Sequence, residues 1–411
     1  MAIIKAIEPS PPSMQAPPER PASGRQAPSI GSPLAPTRRA PIRQLLPQFF
    51  EAMLSHPKRA ATSDAANGAA KKSKASSVPD SLLTLLPLHW KDDVAKWIDQ
   101  DMPKWDIGGF VVGSMPHHAM LLGKSEGVLA GVPFATHVFE HVGCEIEWLR
   151  REGHLITKEE AAAKKPIAKV TGPTRNILMG ERTALNILSR ASGVATAAHA
   201  AMEIARAQGW HGKVAGTRKT TPGFGLIEKY ALLVGGADTH RMDLSSMVML
   251  KDNHIWSTGS ITESVSRART AAGFSTKIEV ECTSEEDAIE AAQAGADVIM
   301  LDNYNGEQLK AVSGRIKKKW PHIIIEVRTS WPPLLLPSAR VISSRSSICG
   351  DGHRHLRAQA SGGITIETMP QFFSPSVDII SQGALTNGYG TLDFSLKVPK
   401  PDTFASRSRI K

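Results

Sequence analysis

The chain reads as an α/β protein whose C-terminal half is a barrel of parallel strands. Two observations predict this. From residue 213 onward, short apolar runs alternate with segments of helical period, the order that builds parallel β-α units. Several of those runs also close on charged residues: Lys251, Glu281 and Asp302. A sheet covered on both faces favours apolar residues, so charges at successive strand ends mark the edge where a barrel carries its active site.

At 411 residues the chain has length for two domains, each with its own core. Residues 1–78 are rich in Pro, Ala and Ser, lack a sustained apolar period, and read as a disordered low-complexity tail. Within them Ala70-Lys-Lys-Ser-Lys-Ala75 has the composition of a weak nuclear-import signal, although a solvated tail is the simpler reading. Folded structure is expected from about Pro79. Leu82, Leu85, Leu86, Trp90, Val94 and Trp97 recur near helical spacing over 81–99. Residues 108–113 and 127–133 read as short strands, and 145–149 and 167–170 extend a small antiparallel sheet. A helix follows over 181–205, with Arg182 in its first turn.

The alternating part predicts strands at 213–217, 247–251, 277–281, 298–302, 322–326 and 377–382. It predicts helices at 226–233, 261–272, 284–294, 306–318 and 366–373. Thr283-Ser-Glu-Glu286 has capping-box spacing for one of them.

Composition excludes several functions. The net charge of +10 invites a nucleic-acid partner. The tail, however, holds 11 Lys/Arg against 4 Asp/Glu, and residues 327–359 hold 5 Arg against 1 Asp, which leaves the rest of the chain near neutral. No nucleic-acid role is expected of that neutral core. No apolar run approaches the ~18 residues of a membrane span, and the N-terminus has no apolar signal region. Cys144, Cys282 and Cys349 lack disulfide or metal-site spacing, which fits a reducing, cytoplasmic setting.

The segment 216–254 carries the chemistry. Arg218-Lys219 follow a strand and precede the turn Thr220-Thr-Pro-Gly. Arginine offers a planar fork for a carboxylate and lysine a point charge. His240-Arg241 add a tunable imidazole and a second guanidinium. Lys251 closes the run Met247-Val-Met-Leu250. Cations converging on one pocket mean a polyanionic substrate. Glu281 and Asp302, on neighbouring strand ends, suit Mg²⁺-bound polyphosphate or ribose hydroxyls; the alternative is an internal salt bridge with Lys251 or Lys277. Ser361-Gly-Gly-Ile-Thr365 precedes a predicted helix, so backbone N–H groups there can face a phosphate, with Gly383 as a second donor.

In order and spacing, the motifs GGFVVG, LLGKSEGVLAGVPF, GERTALNILSRASGVAT, GTRKTTPGFGLIEKYALLVGGADTHRMDL, MLKDNHI, IEVEC, DVIMLDN, ASGGIT and VDIISQGALT resemble the quinolinate phosphoribosyltransferases across residues 82–398. The resemblance implies an N-terminal α/β sandwich over 79–190, completed by 387–411, and an incomplete, open α/β barrel over 191–386. It implies phosphoribosyl transfer from 5-phosphoribosyl 1-pyrophosphate to quinolinate with loss of CO₂, with Mg²⁺ and no organic cofactor. It also implies a homodimer or hexamer with shared sites, Arg182 reaching in from the partner. By motif, Arg218, Lys219, His240 and Arg241 are then the pocket for the two quinolinate carboxylates. Lys251, Glu281 and Asp302 surround Mg²⁺–phosphoribosyl pyrophosphate, Lys219, Lys251, Glu281 and Asp302 being the catalytic set. Ser361, Gly362, Gly363 and Gly383 cradle the 5′-phosphate.

One stretch departs from the pattern. Glu326 should run almost directly into Ala360-Ser-Gly-Gly363, but residues 327–359 intervene, with six Ser, five Arg and three Pro and no Lys or Glu. That bias, with Val first and Gln last, fits an in-frame retained intron, and the stretch separates a barrel strand from its phosphate loop. Misplacing such a loop by an ångström or more can cost catalysis heavily. A chain lacking 327–359 is therefore expected to turn over substrate faster than the full chain, and transcripts amplified across the junction are expected to include the shorter form. Equal turnover by both chains would refute the first expectation, and a single long product the second.

Overall fold

The structure, a computed structural model, describes residues 80–329, 364 and 366–400. The tail with its basic cluster, residues 330–359 and the Ser361, Gly362, Gly363 triplet lie outside the described residues.

The first part builds a four-stranded antiparallel sheet in the order β12-β1-β5-β3, from β1 (Pro116–Gly123), β3 (Glu145–Trp148), β5 (Pro166–Pro173) and β12 (Phe394–Lys397). On β1, alternate residues Ala119 and Leu121 are fully buried, the period of a sheet with one covered face. The end of the chain returns to this sheet: Leu121 faces Leu396 and Gly123 faces Phe394 across the β1–β12 pair. Two short strands, β2 (Gly127–Val128) and β4 (Leu155–Ile156), pair separately.

Two expected strands differ. Residues Ile107–Val112 form a helix. Asp106 caps it, accepting from Gly109 N–H at 2.7 Å and from Arg175 Nε at 2.8 Å, and this local capping outweighs the β preference of Phe-Val-Val. The 127–133 stretch is strand only over Gly127–Val128. Pro133 sits in the first turn of the next helix, Val132–His141, a position where its missing N–H costs nothing.

The helix Thr174–Ala207 joins the two halves. It runs unbroken past residue 190, where the two expected domains meet. Its run Ala191, Ser192, Gly193, Val194, Ala195 and Thr196 is buried on every side. Small residues let backbone come close: Ala130 N–H donates to Ser192 Oγ at 3.0 Å and Val128 N–H to Thr196 Oγ1 at 2.9 Å. Edge-to-face rings bridge the halves, Trp90 to Phe134 at 5.1 Å and Phe134 to Tyr230 at 5.4 Å between centroids.

The second sheet has six parallel strands in the order β6-β11-β10-β9-β8-β7. They are β6 (Lys213–Ala215), β7 (Val248–Leu250), β8 (Ile278–Cys282), β9 (Val298–Asp302), β10 (Ile324–Thr329) and β11 (Ile379–Gln382). Every residue of β9 is buried, as expected of a strand covered on both faces. Among the described residues β6 and β7 do not pair, so the barrel stays open there; one bridge, Ala215 to Asp238, reaches into the gap.

The helices Gly225–Val234, Ile261–Ala272, Glu285–Gln293 and Gly306–Lys319 fall where expected. The capping box lies one residue later than read from sequence, with Ser284 as cap and Asp287 as its partner. A short helix, Asp252–Thr258, follows β7 and was not foreseen. The helix expected over 366–373 is reduced to a 3₁₀ turn, Met369–Phe372, because Pro370 supplies no N–H to a preceding turn. Strand β10 continues past Glu326 through Val327 and Arg328, the first residues of the anomalous stretch.

Gly193 measures how tightly the returning chain is held. A Cβ there would meet the Gly390 carbonyl oxygen at 2.2 Å, and a backbone neighbour cannot swing aside. Gly193→Ala is expected to cost about 1–3 kcal/mol by overpacking, read as a lowered denaturant midpoint, although alanine is the better helix former.

Candidate active site

The strand ends assemble a charged ring. Lys251 follows β7, Glu281 is the penultimate residue of β8, Asp302 closes β9, and Arg328 stands opposite Asp302 in the β9–β10 register. Glu281 is the hub: its Oε2 accepts from Lys251 Nζ and, at 2.7 Å, from Arg328 Nη1. The internal salt bridge weighed in the sequence is thus present, with Lys251 rather than Lys277 as partner. Asp302 is buried, and its Oδ1 has no hydrogen-bond partner among the described residues. Burial, then the nearby Glu281 carboxylate, raises its carboxyl above the usual range.

Lys219 joins this ring. It is exposed along much of its length, yet partial burial, then Arg328 and Lys251, lowers its ammonium below the usual lysine range. Gly383 makes room for it, since a Cβ there would sit 2.9 Å from Lys219 Cδ. Thr386 Oγ1 donates to the Lys219 carbonyl at 2.8 Å, fixing the turn to the end of β11.

A second group lies against the barrel wall beside the open seam. His240 has φ +56°, a left-handed conformation that costs a non-glycine residue about 1–3 kcal/mol unless its surroundings enforce it. Asp238 Oδ1 accepts from His240 N–H at 2.8 Å, and buried Lys229 donates to the carbonyls of Thr239 and, at 2.8 Å, Arg241. Burial brings Lys229 down to about 8; Asp238 resists the fall, and Arg241 and Arg218 add like charge. The Arg241 guanidinium is weakly engaged: among the described residues its buried Nε has no partner, Nη1 makes a long contact of 3.5 Å to the Met247 carbonyl, and Nη2 meets the Met249 thioether at 2.9 Å. A thioether and a long carbonyl contact are weak acceptors, so a carboxylate would be a stronger partner for this guanidinium.

Two carboxylates outside the expected set stand here. Glu326 accepts from His240 Nε2 at 3.0 and 3.1 Å, and Glu279 is fully buried with neither oxygen partnered among the described residues. Burial, then Glu326, pushes Glu279 up to about 9. His240, Glu279 and Glu326 are also the one set of metal-ligating type found among the described residues, at a different place from the expected Glu281 and Asp302.

The structure therefore brings Lys219, Lys251, Glu281, Asp302 and Gly383 together, with His240 and Arg241 in the adjoining group. Arg218 is exposed and near enough to Arg241, Lys229 and Asp243 to act on their charges. Arg182 is not with them; it is exposed on the Thr174–Ala207 helix. A hollow of about 430 Å³ near Trp97, Arg190 and Phe224 contains none of the expected residues. A smaller one of about 230 Å³ is lined by His240, Arg241 and Glu326. Convergent charge, not size, decides which matters.

The sequence reading missed Glu326, Arg328, Lys229 and Glu279 as functional residues. Glu326 closes the run Ile323-Ile-Ile325, the same signal that singled out Lys251. Arg328 was hidden by its place in the anomalous stretch.

Comparison with known proteins matches residues 106–192 to the quinolinate phosphoribosyl transferase N-terminal domain. Residues 194–330 and 341–397 match that family's C-terminal domain. The chain belongs to the quinolinate phosphoribosyl transferase family. It is 45% identical over 327 residues to nicotinate-nucleotide pyrophosphorylase [carboxylating] of Dictyostelium discoideum, covering 77% of this chain and 98% of that protein. The Homo sapiens enzyme of the same name is 43% identical, with 77% and 94% covered. Among solved structures, NadC from Streptococcus pyogenes is similar at 30% identity and TM-score 0.62, covering 77% of this chain and 99% of that one. The nicotinate-nucleotide pyrophosphorylase from Francisella tularensis has 27% identity and TM-score 0.62, with 76% and 98% covered. The open barrel and the antiparallel sheet are thus the family's architecture.

A lowered lysine loses its proton earlier as pH rises. If cationic Lys219 is required, kcat/KM falls on the alkaline side at lower pH than an ordinary lysine, near 10.4, would dictate. Arg328→Ala removes a like charge and is expected to move that limb to higher pH in a pH–rate profile. An unmoved limb would exclude Lys219 as the titrating group.

Proposed function

We propose that this chain transfers the phosphoribosyl group of 5-phosphoribosyl 1-pyrophosphate to the ring nitrogen of quinolinate and releases CO₂ and pyrophosphate. The product is nicotinate mononucleotide, and the activity is that of a carboxylating nicotinate-nucleotide pyrophosphorylase, a pentosyltransferase of NAD biosynthesis. The observation that carries the reading is the pairing of two unlike groups in one family barrel. Arg218 and Arg241 offer forks to a dicarboxylate, and beside them lysines and carboxylates crown the strands. A monoacid would leave one guanidinium without its partner.

Chemistry follows from charge. Arg218 and Arg241 hold the diacid and aim its nitrogen at the ribose C1. The C1–oxygen bond to pyrophosphate breaks as the nitrogen–C1 bond forms; Lys219 and Lys251 offset the charge that gathers on the departing oxygens, while Glu281 and Asp302 favour positive character at C1. The ring nitrogen is then cationic. The bond from C2 to its carboxylate breaks, CO₂ departs, and the electron pair left on C2 is stabilised by that cation until a proton arrives.

Asp302 Oδ1, buried and without a partner among the described residues, and Glu281 are hard oxygen donors that fit a magnesium ion carried in on the pyrophosphate. When bound, that ion would neutralise charge on the leaving group. Residues 361–363 and Gly383 are assigned to the 5′-phosphate. The exposed Arg182 suits a homodimer or hexamer in which it serves a neighbouring subunit's site. A cytoplasmic setting fits these metabolites; among the described residues no helix is long and apolar enough to cross a membrane.

The competing reading is a related phosphoribosyltransferase acting on another aromatic acid without decarboxylation. Quinolinate is expected to give CO₂ and pyrophosphate in equal amounts, strictly dependent on phosphoribosyl pyrophosphate, with nicotinate turned over at least ~100-fold more slowly, the discrimination expected of a site whose buried polar groups would be left unpaired. Comparable turnover of nicotinate without CO₂ would favour the competitor.

A further inference from the structure

The resemblance places His240 in the carboxylate pocket. In the structure its ring is already engaged by protein partners. The side chain is 7% exposed, and both ring nitrogens are already committed. Nδ1 accepts the Arg241 backbone N–H at 2.7 Å, so it carries no proton in this arrangement. The ring proton is therefore on Nε2, which donates to both oxygens of Glu326. Glu326 is itself pinned: it is 1% exposed, and Ser381 Oγ on the neighbouring strand donates to its Oε1 at 2.6 Å. Glu326 lies on β10 and pairs in register with Ile379 of β11 and Met300 of β9, at the centre of the sheet.

We infer that Glu326 is a positioning residue for the carboxylate pocket: through His240 it braces the backbone of Arg241 and so sets where that guanidinium meets the pyridine diacid. The inference rests on the function proposed above. Arg241 belongs to a segment that crosses the open seam, where among the described residues a single bridge at Asp238, and no strand ladder, holds it. Its backbone is held by other means: the Asp238 carboxylate on His240 N–H, the Lys229 ammonium on the Arg241 carbonyl, and the His240 ring on the Arg241 N–H. The third ties this segment to the far wall of the barrel, and Glu326 is the wall end of the tie. The burial of Glu279 within 4.8 Å of the same two side chains points the same way. Burying two acidic groups side by side, one of them held protonated, costs stability, so an arrangement of this kind is better explained by what it positions.

The test uses the full chain and binding as well as rate. Titration calorimetry gives the Kd of pyridine-2,3-dicarboxylate and, separately, of phosphoribosyl pyrophosphate for wild type, Glu326→Ala and Glu326→Gln. Glu326→Ala is expected to weaken the diacid about tenfold or more, by analogy with the loss of partners that orient metal-ligating side chains, and to leave phosphoribosyl pyrophosphate within about twofold. Glu326→Gln keeps an acceptor for Nε2–H and is expected to recover most of the loss. If Glu326→Ala does not fold, Ser381→Ala, which only frees the carboxylate, is expected to give a smaller loss in the same direction. Unchanged diacid binding, or equal weakening of both substrates, would overturn the positioning role while leaving the function standing. Failure of wild type to bind the diacid would overturn both.

Discussion

A pocket for two polyanions must gather cations before the anions arrive, and cations held together out of water repel. At about 4 Å two unit charges repel by about 4 kcal/mol at the effective dielectric near a protein surface. The barrel meets this by placing carboxylates from adjacent strands among the cations. Glu281 stands between Lys251 and Arg328 at the strand ends, and Glu326 stands near enough to Arg241 against the wall to act on its charge. An incoming carboxylate or phosphate can then take over cations already gathered, instead of forcing them together on arrival. The ring is set within the fold because strands β8, β9 and β10 run parallel in fixed register, which puts Glu281, Asp302 and Arg328 on neighbouring ends without long loops.

The same logic explains why so much of the scaffold is small-residue helix. The Thr174–Ala207 helix has to touch the antiparallel sheet, the barrel and the returning chain at once, and only Ala, Gly, Ser and Thr allow backbone to approach on every side. Its hydroxyls then do the work that a loop would otherwise require of water, satisfying Val128 and Ala130 in a dry interface. The return of β12 to β1 closes the arrangement, so the first and last of the described strands hold each other. Apolar burial is continuous from Trp90 through Phe134 to Tyr230, which couples the sheet layer to the first barrel helix.

What the sequence made legible follows from which signals are local. Strand β9 and the Ile261–Ala272 helix were read to the residue, because an unbroken apolar run and a 3.6-residue period are each complete within their own segment. Ile107–Val112 was misread because its decisive contacts, Asp106 to Gly109 and Arg175 to Asp106, set a short cap against a β-rich composition, and one partner lies 69 residues away. The strand-end residues were legible because a charge closing an apolar run is conspicuous. Their division into two layers was not, since it depends on the seam between β6 and β7 and on His240 turning back with positive φ. Glu279 illustrates the gap: Ile278-Glu-Val-Glu281 alternates like any strand, and nothing local to it says that Glu279 is sealed with neither oxygen partnered among the described residues.

The anomalous stretch bears on this balance through one residue. Strand β10 does not stop at Glu326; Val327 and Arg328 extend it, and the register that places Glu326 opposite Met300 necessarily places Arg328 opposite Asp302. Arg328 therefore enters the ring as a third cation beside Lys219 and Lys251, against two carboxylates, and takes a share of Glu281 that Lys251 would otherwise hold alone. Were Glu326 followed directly by Ala360 and Ser361, the same strand position would carry a neutral hydroxyl and the ring would hold equal numbers of each sign. The effect of the stretch is thus more than added chain length. It alters the charge at the mouth of the barrel, and it does so through a side chain whose direction is fixed by a sheet register that the rest of the fold has already determined.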